Sequence, residues 1–435
     1  MATARRGAAP RLVHLTTTDM SLDWLLGPQL RAFAAAGYEV IGVSAPGPHV
    51  ASLEAAGIRH VPLHHATRAV APTHDAAAVV ELVRVLRRLR PTIVHTHNPK
   101  PGVYGRIAGR LARVPIVVNT QHGLYATEQD RLARRVAVYG IERLAVTCSD
   151  AELVQNVEDL ERLASLGVPR RRLVLLGNGI DLGRFSPAGR IDGTRAAVRA
   201  ELGVGEDDVV VGLVGRMVAE KGYREVFAAA ATLARTAPEA RLVVVGPADP
   251  DKEDAVGPTE IAGAVDGGNV VALGRRDDVE RLYAAMDCYV LASYREGFPR
   301  SAMEAAASGL PVIATDIRGC RQVVDPGTTG LLVPARDPVA LAEAIRTLVR
   351  QPDLRRRMGD AAAGRDVLLD HRAQDVRFAF VEHCPGSPRV EAVSTRSYRV
   401  LTPVRKVTLG GHPGRSPARS PPSGRSRPAA RPSRA

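Results

Sequence analysis

Two carboxylates, Glu296 and Glu304, enclose the segment E-G-F-P-R-S-A-M-E with seven residues between them. The preceding stretch, D-C-Y-V-L-A-S, has the apolar run of a short buried strand that stops on small residues. The stretch after Pro299, S-A-M-E-A-A-A-S-G, reads as a helix ended by Gly309 and then Pro311. Glu296 therefore falls on a strand-to-helix loop and Glu304 on the second turn of the helix. Backbone N–H groups at a helix start lack intrahelical partners and point outward, so such a loop suits an anion such as a diphosphate. Carboxylates beside it are poorly suited to phosphate and well suited to accept hydrogen bonds from sugar or ribose hydroxyls. Together these features point to a nucleotide-sugar site. Upstream, G-R-M-V-A-E-K-G places Arg216 and Lys221 just beyond the end of another predicted strand. A fork-shaped guanidinium and a compact ammonium facing the same cleft would neutralise a departing nucleoside diphosphate. A plain surface turn through Glu220 and Lys221 is the alternative.

The elements that must carry these residues repeat along the chain. Strands are predicted at R-L-V-H-L, Glu39–Val43, H-V-P-L, T-I-V-H-T-H and P-I-V-V-N-T, separated by helices that include Leu22–Ala36 and Tyr104–Leu111. After R-R-L-V-L-L-G-N-G-I-D-L-G-R-F-S-P the sequence turns polar and Gly-rich, as an interdomain crossing would. The alternation then restarts with V-V-V-G-L-V-G, helix Tyr223–Arg235, R-L-V-V-V-G, N-V-V-A-L-G, Y-V-L-A-S and P-V-I-A-T, and ends with a helix capped near Asp337. Strands alternating with helices of this length make βαβ units and parallel sheets covered on both faces. The expected fold is α/β: two Rossmann-like domains facing across a cleft, with ligands at the carboxyl ends of the strands. The expected division is 11–180, a crossing over 181–205, 206–384, and a disordered Pro/Ser/Arg-rich basic tail over 385–435.

Composition narrows the function classes. The net charge of +13 is uneven, because the tail carries eleven Lys or Arg against Glu391 alone, leaving +3 for the first 384 residues. The tail has too few apolar residues to bury a core. It could bind nucleic acid or anionic lipid, although no aromatic side chains interleave with the arginines of its end, 415–435, for base stacking, and a solvated end is the simpler expectation. Nucleic acid is therefore not an expected partner. Four scattered cysteines show no metal-ligand spacing and suit a reduced cytoplasmic protein. No apolar run precedes Pro10, so a signal peptide is not expected, and none approaches the ~20 residues of a membrane span.

With both halves laid out, the second half resembles the family 4 retaining glycosyltransferases, which have the GT-B fold. The shared landmarks are G-N-G-I-D at Gly177–Asp181, G-R-x-x-x-x-K-G at Gly215–Gly222, G-R-R-D-D at Gly274–Asp278, E-G-F-P-R-S-A-M-E-A and G-L-P-V-I-A-T-D-I-R-G-C-R. The first half resembles the bacterial branch that builds lipid-linked glycans, capsule and O-antigen, through H-T-H-N-P-K-P-G at His95–Gly102 and N-T-Q-H-G-L-Y-A at Asn119–Ala126. The likeness runs from about residue 11 to 365. It implies that Arg216 and Lys221 hold the donor diphosphate and that Glu296 contacts donor-sugar hydroxyls. It further implies that amides around Gly297 and Phe298 approach the sugar and phosphates, that Glu304 accepts from the ribose, and that Gly215, Gly274 and Arg275 flank the donor. His122 corresponds to the histidine near the transferred sugar, and His97, Asn98 and Lys100 fall on the acceptor side. For His95, a hydrogen-bonded core role and a ligand role both remain open.

The activity so implied is retaining transfer of a hexose from a nucleotide-diphospho-sugar, expected to be UDP-linked. The acceptor would be a glycan or polyprenyl-diphosphate-linked chain in cell-surface polysaccharide synthesis. A soluble small-molecule acceptor and a catalytically silent GT-B binding or scaffold protein are the alternatives. No further cofactor is expected. The D-P-D at Asp249–Asp251 imitates a metal-binding D-x-D, but the paired cations supply charge neutralisation without an ion, so metal dependence is not expected. G-N-G-I-D-L-G imitates a dinucleotide fingerprint with the wrong last spacing. Three departures from the family pattern stand out: T-T-T-D-M-S replaces a Gly-Gly turn after the first strand, Ala292 stands where proline is common, and Arg377–Glu382 is the last candidate for a closing helix. Finally, R-L-A-R-R-V-A-V-Y-G-I-E-R-L-A-V sets Arg131, Arg134, Arg135 and Arg143 among aliphatics. It reads either as a core-facing helix with arginines in water or as a contact with the anionic inner face of the cell membrane.

Overall fold

The computed structural model describes residues 9–69, 71–97, 99–126, 130–187, 193–250 and 252–365, with the backbone of 369–370. Seven strands, β1 (Arg11–Thr18), β2 (Glu39–Ala45), β3 (Arg59–Pro62), β4 (Ile93–His97), β5 (Ile116–Gln121), β6 (Ala151–Val154) and β7 (Leu173–Leu175), form one parallel sheet ordered β3-β2-β1-β4-β5-β6-β7. After β8 (Gly179–Ile180), the strands β9 (Val209–Val214), β10 (Ala240–Val245), β11 (Val270–Ala272), β12 (Cys288–Leu291), β13 (Val312–Thr315) and β14 (Gly330–Val333) form a second parallel sheet ordered β11-β10-β9-β12-β13-β14. A short β15 (Leu369–Asp370) pairs with β8. The two-sheet α/β architecture expected from the alternating pattern is the one observed.

Each sheet is buried on both faces, which is why its strands read as aliphatic runs. In the first, Val13, Leu15, Ile41 and Val94 pack on one side, while Leu12, Leu30, Phe33 and Ile93 pack on the other. In the second, Val210, Val243 and Tyr289 face one way, and Val211, Leu242 and Val290 the other. Strand order reverses between β1 and β4 and again between β9 and β12, creating the crevices at which doubly wound sheets receive ligands.

Two helices differ from expectation for reasons traceable to proline. The stretch expected as one helix over Leu22–Ala36 is a π-helical turn, Ser21–Leu25, followed by a helix Gly27–Ala35. Pro28 has no N–H to continue the ladder, so the chain restarts there with proline in the first turn. The helix expected at Tyr104–Leu111 begins at Pro99, because Pro101 and Gly102 lie where a helix start tolerates them. Beneath it, the fully buried Arg106 guanidinium pairs with Glu152 at 2.8 Å and Glu142 at 2.7 Å, and Asn119 donates to Glu152 at 2.8 Å. A buried ion needs such compensation. The network ties this helix to β5, β6 and the helix Leu132–Val146. The candidate closing helix Arg377–Glu382 and the 385–435 tail lie outside the described residues.

Candidate active site

The two crevices face one another across a cleft of about 1430 Å³. Arg216 and Lys221 arrive on the segment after β9, and Glu296, Gly297 and Phe298 on the segment after β12, so the two strands flanking the second switch point supply them. Gly215 and Glu304 also line the cleft, as do His122 and Lys100 from the first sheet. The helix Arg300–Ala307 opens at Pro299 and directs its amino end to this space.

The contact that closes the cleft is between backbones. Gly123 has φ +105°, and a Cβ there would lie 2.9 Å from the Gly297 Cα; a Cβ on Gly297 would lie 2.3 Å from the His122 carbonyl oxygen. Side chains then pin the Gly297 loop. Asn156 Nδ2 donates to the Gly297 carbonyl at 2.9 Å while its Oδ1 caps the helix Val157–Ser165 through Asp159 N–H, and Asn178 Nδ2 donates to the Phe298 carbonyl at 2.9 Å. Arg318 spans the same gap, pairing with Asp159 at 2.6 Å and donating to the Ala126 carbonyl at 2.9 Å. Asn156, Asp159 and Arg318 were not anticipated from the sequence, although N-V-E-D is a recognisable helix-start pattern.

Each cation holds an acid. Lys221 Nζ lies 2.5 Å from Glu296 Oε1, and Arg216 Nη1 lies 2.6 Å from Asp249 Oδ2. Asp249 therefore acts as an arginine partner, and Asp251 lies outside the described residues. Glu304 accepts from the Tyr283 hydroxyl at 3.2 Å; burial raises its carboxyl above the ordinary value, against the pull of Arg300 and of that hydroxyl. Gly274 and Arg275 sit at the margin of the cleft, next to Trp24, which lines it. Arg275 pairs with Asp277 at 3.1 Å and lies over the Trp24 ring, 4.8 Å from its centroid. Lys100 is engaged by Asp75 at 2.6 Å and by the Thr67 carbonyl at 2.9 Å and Ala69 carbonyl at 2.5 Å, so it fastens the 67–69 loop. Asn98 lies outside the described residues.

His97 is fully buried and reaches the cleft only through His122. Because side chains alternate along a strand and His14 sits opposite His95 in register, His14, His95 and His97 share one face of the first sheet. His14 Nδ1 lies 3.0 Å from His97 Nε2, His97 Nδ1 lies 3.1 Å from His122 Nε2, and His95 Nε2 lies 2.7 Å from Thr120 Oγ1. Ligand nitrogens of His14, His95 and His97 all fall within 4.8 Å of one another, the closest approach to a metal-type cluster among the described residues. The set includes no carboxylate to offset a cation's charge, and two of its nitrogens already share a hydrogen bond. Burial lowers His14 to about 3 and His122 to about 4, and together with neighbouring imidazoles it holds His95 and His97 well below the ordinary value.

Residues 194–365 match the family described as "Glycosyl transferases group 1", and residues 26–179 match the "Glycosyl transferase 4-like domain". This chain is a group 1 glycosyltransferase. It is 25% identical over 355 residues to the capsular polysaccharide biosynthesis glycosyltransferase CapM of Staphylococcus aureus, covering 80% of this chain and 90% of that protein. It is 29% identical to the Escherichia coli UDP-Gal:alpha-D-GlcNAc-diphosphoundecaprenol alpha-1,3-galactosyltransferase, over 64% of this chain and 71% of that one. Among solved structures, Anabaena HepE in complex with UDP-glucose superposes with a TM-score of 0.65 at 21% identity, covering 81% of this chain and 93% of that chain. The group 1 glycosyltransferase thus has the GT-B fold implied by its motifs.

The buried histidines give this glycosyltransferase a distinctive acid response. Unfolded imidazoles take up protons below about pH 6.5, whereas the folded ones resist until about pH 4 for His122 and about 3 for His14. Stability is therefore full above pH 6.5 and falls as pH drops below it, by about 1.4 kcal/mol per pH unit for each such histidine. Unfolding midpoints measured from pH 7.5 to 5 should drop steeply below 6.5; a flat profile would contradict the burial of these rings.

Proposed function

We propose that this glycosyltransferase moves a hexose from a UDP-linked donor to a glycan or polyprenyl-diphosphate-linked acceptor, with retention at the anomeric carbon, in cell-surface polysaccharide synthesis. In this reading residues 11–180 form the acceptor side and 206–384 the donor side, joined through 181–205. The observation that carries it is the convergence of Arg216, Lys221, Glu296 and the amino end of the helix Arg300–Ala307 on one cleft. The names of CapM and of the E. coli galactosyltransferase, and the UDP-glucose held by HepE, support it.

In the proposed step the bond between the anomeric carbon and the donor phosphate oxygen breaks. The acceptor oxygen bonds that carbon on the same face, and its proton passes to the departing phosphate. Arg216, Lys221 and the helix start stabilise the negative charge that builds on the diphosphate, an electrostatic role that requires no rearrangement during reaction. Lys221 starts on Glu296, so a diphosphate would draw the ammonium away and release the Glu296 carboxylate to the sugar hydroxyls. Glu304 takes the ribose hydroxyls. His122, supported from below by His97, approaches the sugar from the opposite domain. Arg216→Ala and Lys221→Ala should each lower turnover by roughly 10²-fold or more while preserving the unfolding midpoint. Unchanged turnover in both would remove this assignment.

Membrane contact belongs to the same proposal. No helix among the described residues is long and apolar enough to cross a membrane. The helix Leu132–Val146 buries Tyr139, Glu142, Ala145 and Val146 and leaves Leu132, Val136 and Leu144 at 72%, 64% and 66% exposure. Those three lie along one stripe at multiples of four residues, with exposed Arg131, Arg134 and Arg143 nearby, while Ile141 of the same helix lines the cleft. An apolar stripe among arginines suits an anionic leaflet, and its continuity with the cleft suits an acceptor anchored there. Pelleting with vesicles containing anionic lipid should be lost on joint replacement of Leu132, Val136 and Leu144 by glutamate. Pelleting that survives the replacement would exclude this surface.

A further inference from the structure

Arg68 belongs to the first sheet's side of the molecule, on the loop between β3 and the helix Pro72–Leu89, yet its Nη1 lies 3.0 Å from Asp249 Oδ1 beyond the end of β10. The other oxygen of that carboxylate, Oδ2, holds Arg216 Nη1 at 2.6 Å. One acid thus gathers two guanidinium groups, one from each half of the chain. Both arginines line the cleft, whereas Asp249 is buried behind them.

The arrangement is built from the backbone outward. Met217 N–H donates to the Pro247 carbonyl at 2.9 Å, and Met217 bridges to Ala248 in parallel, so the Asp249 segment is stitched to the Arg216 segment. Gly246 makes this possible: its φ is +155°, and a Cβ there would lie 1.7 Å from the Gly215 carbonyl oxygen. On the other side, Lys100 ties down the carbonyls of Thr67 and Ala69, the two residues flanking Arg68. Each guanidinium spends one terminal nitrogen on Asp249, and a planar five-donor group retains further N–H bonds for a second anion. Two arginines held side by side by one carboxylate leave a surplus positive charge facing the cleft.

We propose that Arg68 is a further cation of the donor diphosphate subsite, delivered by the opposite domain and held beside Arg216 by Asp249. The inference rests on the donor-site reading above.

Binding of UDP and of UMP, followed by calorimetry on the full chain, tests it. Arg68→Ala should weaken UDP binding about tenfold, the effect of losing one charge-assisted hydrogen bond, and weaken UMP much less. Arg68→Lys should recover part of the loss, and the unfolding midpoint of each variant should match the parent, since Arg68 is exposed. UDP affinity unchanged in Arg68→Ala but lost in Arg216→Ala would overturn the role of Arg68 while leaving the donor site intact. UDP affinity unchanged in both would overturn the donor-site reading itself. An intact UDP affinity accompanied by a raised KM for acceptor would place Arg68 on the acceptor instead, which also defeats the inference.

Discussion

Gly123 and Gly297 meet backbone to backbone across the cleft, and that contact sets how close the two sheets stand. Neither position has room for a Cβ, so the carbonyl of His122 and the turn after Glu296 are neighbours by steric necessity. Asn156, Asn178 and Arg318 hold the contact with hydrogen bonds to buried backbone carbonyls on either side of it. Every group assigned a part in sugar transfer is placed relative to this junction. On one side are the histidine ladder and the Lys100-fastened loop; on the other are the segments after β9 and β12.

Charge is balanced by the same economy of parts. Lys221 rests on Glu296 and Arg216 on Asp249, so the site carries its cations in paired form. Paired cations in a partly desolvated cleft avoid the cost of a lone buried charge and still exchange partners when a stronger anion arrives. A diphosphate, with more charge and more acceptor oxygens than a carboxylate, is such an anion. The histidine ladder is neutral by burial, so it adds shape and hydrogen bonding beneath this wall of the cleft without adding charge.

Much of this was legible in the chain because local signals and tertiary context agree. β1, β4, β9 and β12 each carry a short apolar core, near glycine, proline or small polar residues, so both sheets and their loops could be placed. Arg216, Lys221 and Glu296 were legible because each sits on the loop after such a strand, and Glu304 because the helix that follows is itself plain in the sequence. What escaped notice has a common cause. β6 and β7 are short, and A-E-L-V carries Glu152, whose burial makes sense only once Arg106 is seen beside it. The expected helix Leu22–Ala36 runs through Pro28 and the expected helix Tyr104–Leu111 starts after Pro101, whereas each proline occupies a helix's first turn. Asp249 resembled a metal ligand because sequence shows its neighbours along the chain and not Arg68, distant in number and adjacent in space. The interlocked His14, His97 and His122 depend on strand register, which spacing alone does not reveal.

The central claim is that a nucleotide diphosphate sits between Arg216, Lys221 and the amino end of the helix Arg300–Ala307. A crystal structure of the chain with UDP-glucose tests this most directly. Phosphate oxygens should lie within hydrogen-bonding reach of both cations, with the Lys221–Glu296 pair opened and Glu296 turned to the sugar. A nucleotide bound elsewhere, with Lys221 still on Glu296, would contradict it.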